Sequence, residues 1–148
     1  MPLFSEKERP SILEPLALAD WQQRPGWPAV SLANTDPVED LAPHVGRLRL
    51  IVLQFPKFSD GRAYSQARLL RGRLGYIGEL RATGGVLQDQ LPFMLRCGFD
   101  SFESEQKSFG AALAKARTLF SVVYQPAEDD RAPAWLLRLN RRNVETTV

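Results

Sequence analysis

Residues 48–89, LRLIVLQFPKFSDGRAYSQARLLRGRLGYIGELRATGGVLQD, decide the fold. Four consecutive apolar residues, Leu50 to Leu53, predict a strand buried on both faces, as in the centre of a parallel sheet. Pro56 must end it. Ser59 or Asp60 can cap a helix from about Gly61 to Leu74, where Ala63, Ala67, Leu70 and Leu74 recur at i, i+4, i+7 and i+11 and form one apolar stripe. Gly75 stops that helix in a left-handed turn. A second strand over 78–82 follows within a few residues, which makes the unit a right-handed βαβ crossover. Thr83, Gly84 and Gly85 form the next strand-to-helix turn.

Working outward, WPAVSL at 27–32 predicts a short strand, and Asp36 followed by Pro37 predicts a helix start, with Asp36 as cap and the short helix reaching Leu41. On the other side a helix over 86–97 carries Leu87, Leu91, Met94 and Leu95, and Pro92 must bend it or force a late start. Gly98 ends it. A strand over 99–103 and a helix over 105–120 complete the pattern. The expected architecture is an α/β domain over residues 28–124, with three or four βα units and a parallel sheet, either open or a half-barrel that pairs with itself as a homodimer. Residues 1–27, interrupted by Pro10, Pro15 and Pro25, read as an extended arm whose Trp21 and Trp27 need cover. Residues 125–148 read as an irregular tail, and its basic LRLNRRN patch as a solvated end.

Composition narrows the function classes. A chain of 148 residues with 44% hydrophobic and 24% charged content is that of an ordinary globular domain. Apolar runs such as Leu50 to Leu53 are far short of the ~20 residues a spanning helix needs, and the N-terminus has no signal-peptide pattern, so a cytoplasmic protein without membrane contact is expected. The net charge of +2 is spread over several elements, which argues against nucleic acid. The single cysteine, Cys97, and single histidine, His44, cannot make an internal disulfide, hold an iron–sulfur cluster within one chain or form a structural zinc site. No metal site and no cofactor motif is found, since neither the G-x-G-x-x-G spacing nor the P-loop pattern occurs. Cys97 reads as a packing residue before Gly98, and His44 as a surface or capping residue.

In parallel sheets, ligands sit beyond the carboxyl ends of the strands. That rule selects Lys57, Asp60, Gly61, Arg62, Arg81, Thr83 and Gly84 as a small-oxyanion site, with Gln54, Gly85, Glu103 and Ser104 at the same strand ends. The competing reading has Asp60 cap the helix, Arg62 and Arg81 stay solvated or pair with Asp60, Glu79 or Asp89, and the glycines only shape a turn. The anion reading requires Lys57, Arg62 and Arg81 to converge at one rim. No catalytic triad or paired-carboxylate arrangement assembles, and these residues neither require nor exclude catalysis.

The stretches FPKFSDGRAYSQARLLRGRLGYIGELRATGGVLQDQL and RCGFDSFE resemble the core of a bacterial family of unknown function, over roughly Asp36 to Gln125. Its members are labelled oxidoreductases of sulfite reduction and accompany assimilatory sulfite or nitrite reductases. The shared pattern falls on Phe55, Pro56, Lys57, Phe58, Asp60, Gly61, Arg62, Ser65, Arg68, Arg81, Gly84, Asp89, Gln90 and Arg96 to Asp100. Gly85, where the family has an acid, and Pro92, where it has an apolar or aromatic residue, depart from it. The resemblance implies an accessory role in sulfite assimilation, beside the sulfite reductase haemoprotein, with sulfite as the natural oxyanion. The alternative is a non-catalytic protein that docks on the reductase.

Overall fold

The computed structural model describes residues 3–5, 10–57, 60–104, 106 and 108–119. In chain order these form β1 (Leu3–Ser5), β2 (Leu16–Ala17), α1 (Leu18–Gln23), β3 (Ala29–Leu32), a 3₁₀ segment (Val38–His44), β4 (Leu50–Phe55) and α2 (Arg62–Arg68). A π-helical turn (Leu69–Arg73), β5 (Glu79–Gly84), a 3₁₀ turn (Gln88–Gln90), α3 (Leu91–Arg96), β6 (Ser101–Glu103) and α4 (Phe109–Leu119) follow. The expected tail, and the LRLNRRN patch within it, lie outside the described residues.

The six strands form one mixed sheet in the order β1-β6-β5-β4-β3-β2. β2 to β6 run parallel to their neighbours and β1 pairs antiparallel with β6. The longest ladder joins β4 to β5, from Leu50 opposite Glu79 to Phe55 opposite Gly84. The apolar run that marked β4 in the sequence is therefore the sheet's central strand, with Leu50, Ile51 and Leu53 fully buried.

From β2 to β6 the strand order follows the chain, and right-handed crossovers then carry every helix to the same face. Packing agrees: Leu18 and Trp21 of α1, Ala63, Ala67 and Leu70 around α2, Leu91 and Met94 of α3, and Phe109 and Leu113 of α4 join Val30, Leu32, Ile51, Leu53, Leu80, Ala82 and Phe102 in one core. The alternate strand positions point the other way. There Ala29, Leu50 and Val52 form a second, small cluster, covered by Leu13 and Trp27 rather than by a helix.

The stretch 10–17 thus closes part of the helix-free face. Two indole donors pin it, Trp27 Nε1 to the Glu14 carbonyl and Trp21 Nε1 to the Trp27 carbonyl, both at 2.9 Å. The segment read from sequence as an arm also supplies both sheet edges, β1 and β2.

Two local expectations change in detail, and one of the two readings of Pro92 is met. Asp36 caps no following helix: its carboxylate accepts the backbone N–H of Ala33 at 2.8 Å and closes a turn, and Pro37 precedes a 3₁₀ segment instead. The helix after β4 tightens only to Arg68 and then widens into the π turn, placing Arg71 toward the start of β5. Pro92 lies in the first turn of α3, where its missing N–H costs nothing, because the helix starts late at Leu91. Gly75 and Gly98, read as helix stops, have φ of 69° and 100°.

Gly84 has a tighter constraint. Its φ is 92°, a Cβ there would lie 2.4 Å from the Phe55 carbonyl oxygen, and the same oxygen accepts the Gly85 N–H at 2.6 Å. Gly84→Ala should lower stability by about 2 kcal/mol or more, whereas Gly46→Ala, whose Cβ meets nothing within 4 Å, should change it by less than about 1 kcal/mol. Urea unfolding of the two variants checks the contrast.

Candidate functional site

The alternation of β5 and β6 builds the polar part of the molecule. Leu80, Ala82 and Phe102 enter the helix-side core, so Glu79, Arg81, Thr83, Ser101 and Glu103 share the helix-free face. Arg81 lies mid-strand, opposite Val52 on one side and Ser101 on the other. Its guanidinium donates to Glu79 Oε1 and to the Ser11 carbonyl, both at 2.8 Å, contacts Ser101 Oγ at 3.3 Å, and lies 3.6 Å from Glu103 Oε1. Glu79 completes the knot by accepting the Ser101 hydroxyl and the Ser11 amide, each at 2.6 Å. Both side chains are nearly inaccessible, at 6% for Arg81 and 4% for Glu79. Burial would push the Glu79 carboxyl up, but the Ser101 hydroxyl, the Ser11 amide and Arg81 outweigh it and hold the group below its ordinary value.

Toward the strand ends the same face opens. Thr83 Oγ1 donates to Glu103 Oε2 at 3.0 Å, Gln54 Nε2 donates to Ser31 Oγ at 2.9 Å, and the Glu103 side chain is 30% exposed. This row offers mainly acceptor oxygens. With Glu79 and Glu103 ionised around one guanidinium the cluster carries a net charge of −1, so an arriving anion meets two carboxylates for each cation.

The other predicted residues gather elsewhere. Asp60 and Arg62 form an ion pair at 2.7 Å, Asp60 Oδ1 accepts the Arg62 N–H at 3.1 Å, and Asn34 Nδ2 donates to Asp60 Oδ2 at 2.7 Å. The Arg62 guanidinium and amide, followed by Asn34, hold the Asp60 carboxyl down at about 2. Gly61 is the residue before α2, and Lys57 is exposed just past β4. Asp60, Gly61 and Arg62 therefore come together at the start of a helix that packs on one face of the sheet, while Arg81 and Thr83 point to the other. Gly84 shapes the turn between β5 and the 3₁₀ segment. Lys57, Arg62 and Arg81 do not converge on one pocket. An open cleft of about 310 Å³ between Gln88, Asp89 and Pro92 and the α4 residues Ala112, Lys115 and Ala116 includes Asp89 of the family pattern but none of the predicted oxyanion-site residues.

The competing reading, in which Arg62 pairs with Asp60 and Arg81 with Glu79, is what the structure shows. Two groups escaped the sequence reading. Ser101, central to the buried knot, is one, and the strict alternation of ELRAT, apolar at 80 and 82 and polar between, marked only the β5 side of it. Arg71 is the other. Its guanidinium donates to the carbonyls of Gly98, Tyr76 and Gly78 at 2.8–3.0 Å and pairs with Asp100 at 2.6 Å, while Asp100 also accepts the Leu80 N–H at 3.0 Å. It clamps the entries of β5 and β6 together. Gly98 must be small here, since a Cβ would lie 2.6 Å from Arg71 Cγ. Cys97 is buried beside it, and His44 stacks edge-on against Trp21 at 5.1 Å between ring centroids.

Arg81→Met leaves a buried carboxylate without its cation and should cost about 3–5 kcal/mol near neutral pH. In the native protein the depressed Glu79 carboxyl contributes stability that is present above its ordinary value of 4.5 and lost as the pH falls through the folded value. In the variant, burial acts unopposed by Arg81 and raises that carboxyl, so acidification relieves its penalty. Urea unfolding at about pH 7 and about pH 4 should therefore show the gap between the two proteins narrowing in acid, and a constant gap contradicts the assignment.

No curated protein matches the chain. A family model described as a bacterial protein of unknown function, DUF934, matches residues 29–135, which span β3 to beyond α4 and include Glu79, Arg81, Ser101 and Glu103 of the knot, but not Ser11, and the Asp60–Arg62 pair. The chain belongs to this DUF934 family of bacterial proteins of unknown function.

Proposed function

We propose that the protein is an accessory component of assimilatory sulfite reduction that works by docking on the sulfite reductase haemoprotein rather than by capturing sulfite itself. The sulfur-assimilation half of this reading is supported by the resemblance carried by FPKFSDGR and RCGFD. The docking half is supported by one observation above the others: the Arg81 guanidinium is enclosed by Glu79, Glu103, Ser101 and the Ser11 carbonyl. An oxyanion site would need that cation free. Without it, Lys57 and Arg62 remain, and Arg62 is shared with Asp60. A single solvated lysine beside a neutralised pair gives little affinity in water, where an exposed ion pair contributes at most about 1 kcal/mol.

Deletion of the gene in its own host tests the assignment. The deletion strain should grow normally on sulfide and poorly on sulfate and on sulfite, because reduction to sulfide is the affected step. Equal growth on all three sources, or failure on sulfide as well, contradicts it.

A further inference from the structure

The helix side of the molecule carries an exposed feature that neither the core nor the Arg81 knot uses. Phe93 of α3 is 47% exposed, one of three large hydrophobic side chains open to solvent among the described residues. Unlike Ile12 and Ile77, it belongs to a built assembly. Its ring lies 4.8 Å from that of Tyr64, which in turn packs edge-on against Phe55 at 5.1 Å, and the Arg68 guanidinium lies over it at 5.6 Å. Tyr64 is tied to α3's entry by a 3.0 Å hydrogen bond to Gln90 Oε1. Burial pushes the Tyr64 phenol up to about 12, so it stays a neutral donor.

The surroundings are basic. Residues 56–74 and 88–96 contain Lys57, Arg62, Arg68, Arg71, Arg73 and Arg96 against only Asp60 and Asp89. Asp60 is consumed by Arg62, and Arg71 by Asp100. Lys57, Arg68 and Arg73 have no carboxylate within ion-pair distance among the described residues. Arg62, Ser65 and Arg68 follow one another at three-residue spacing and form an exposed polar ridge on α2, whose cation without a carboxylate partner among the described residues, Arg68, reaches Phe93.

We infer that this ridge, centred on Phe93 and Arg68, is a docking surface for a partner protein with an acidic face. The inference rests on the docking reading above and deepens it by naming the surface and the partner's chemistry. An exposed aromatic anchor beside an arginine with no carboxylate partner among the described residues has the composition of an interface hot spot, and that cation, with the exposed Lys57 and Arg73 at either end of the same segment, steers an oppositely charged partner. Nucleic acid fits less well. A base stacks on an open aromatic face, and here Arg68 lies over the Phe93 ring while Tyr64 crowds it at an interplanar angle of 53°.

The test places a photoreactive phenylalanine analogue at position 93 of the full chain in its own host, with the exposed Arg49 as control position. Irradiation should give a discrete adduct at position 93 and none at position 49, with the crosslinked peptide of the partner rich in Asp and Glu. Arg68→Glu in the same chain should lower the yield about tenfold or more while leaving the unfolding midpoint of the purified protein near that of the unsubstituted chain. No adduct, an adduct with nucleic acid or a second copy of this chain, a contact peptide without acidic character, or a yield untouched by Arg68→Glu overturns the inference. The partner's identity separates the two readings. An acidic protein other than the reductase upholds the surface and contradicts the reductase assignment, whereas the reductase upholds both.

Discussion

A parallel sheet whose strands follow each other in chain order has room for its right-handed crossovers on one face only, and that constraint governs this molecule. All four helices pack into one core on that side. The opposite face of β3 to β6 must be closed by other means or left wet. The chain does both: Leu13 and Trp27 cover Ala29, Leu50 and Val52, and beyond them the strands switch to Glu79, Arg81, Ser101, Thr83 and Glu103. A charge on a buried sheet face is tolerable only when its donors and acceptors are matched, which is why Arg81 has four partners and reaches across to the Ser11 carbonyl of the covering segment.

The chemistry follows from this closure. A guanidinium between two carboxylates is a stitch joining β5, β6 and the 10–17 segment, and its charge is unavailable to a ligand. The same logic applies to Arg71, which is spent on three carbonyls and Asp100 to fix the starts of β5 and β6. Cations that looked alike in the sequence thus divide into two classes. Arg71 and Arg81 hold the sheet together, while Lys57, Arg68 and Arg73 stay on the surface and shape what can approach it. Arg71 and Arg81 are enclosed by backbone carbonyls and carboxylates, whereas Arg68 lies over the exposed Phe93 ring.

Much of the scaffold was legible because its signals are local. The run Leu50 to Leu53 marks a strand with both faces covered, the Ala63, Ala67 and Leu70 stripe marks a helix with one face covered, and Gly75 and Gly98 mark left-handed stops. The edges were not legible. β1 and β2 are three and two residues long, and their pairing with Glu103 and Val30 is set by distant partners rather than by any period within them. Asp36 misled because the same side chain serves a cap and a turn equally well, whereas Pro92 signalled the late start of α3 at Leu91. The candidate site was legible as residue types and not as an arrangement. Strand-end position placed Arg62 and Arg81 at one rim, but the direction of a strand side chain depends on register, and the alternation through Leu80 and Ala82 sends Arg81 to the face away from α2. The Arg71–Asp100 pair spans 29 residues and leaves no trace in local pattern.

The central claim is that the Arg81 guanidinium is enclosed and unavailable, and nitrogen-15 NMR of the arginine Nε–H groups reads this directly. The account predicts an Arg81 Nε–H resonance that exchanges slowly with water and does not move as sulfite or sulfate is added to saturation, with exposed Arg68 and Arg73 exchanging fast. An Arg81 signal that exchanges as fast as theirs, or that shifts saturably with either anion, would contradict it.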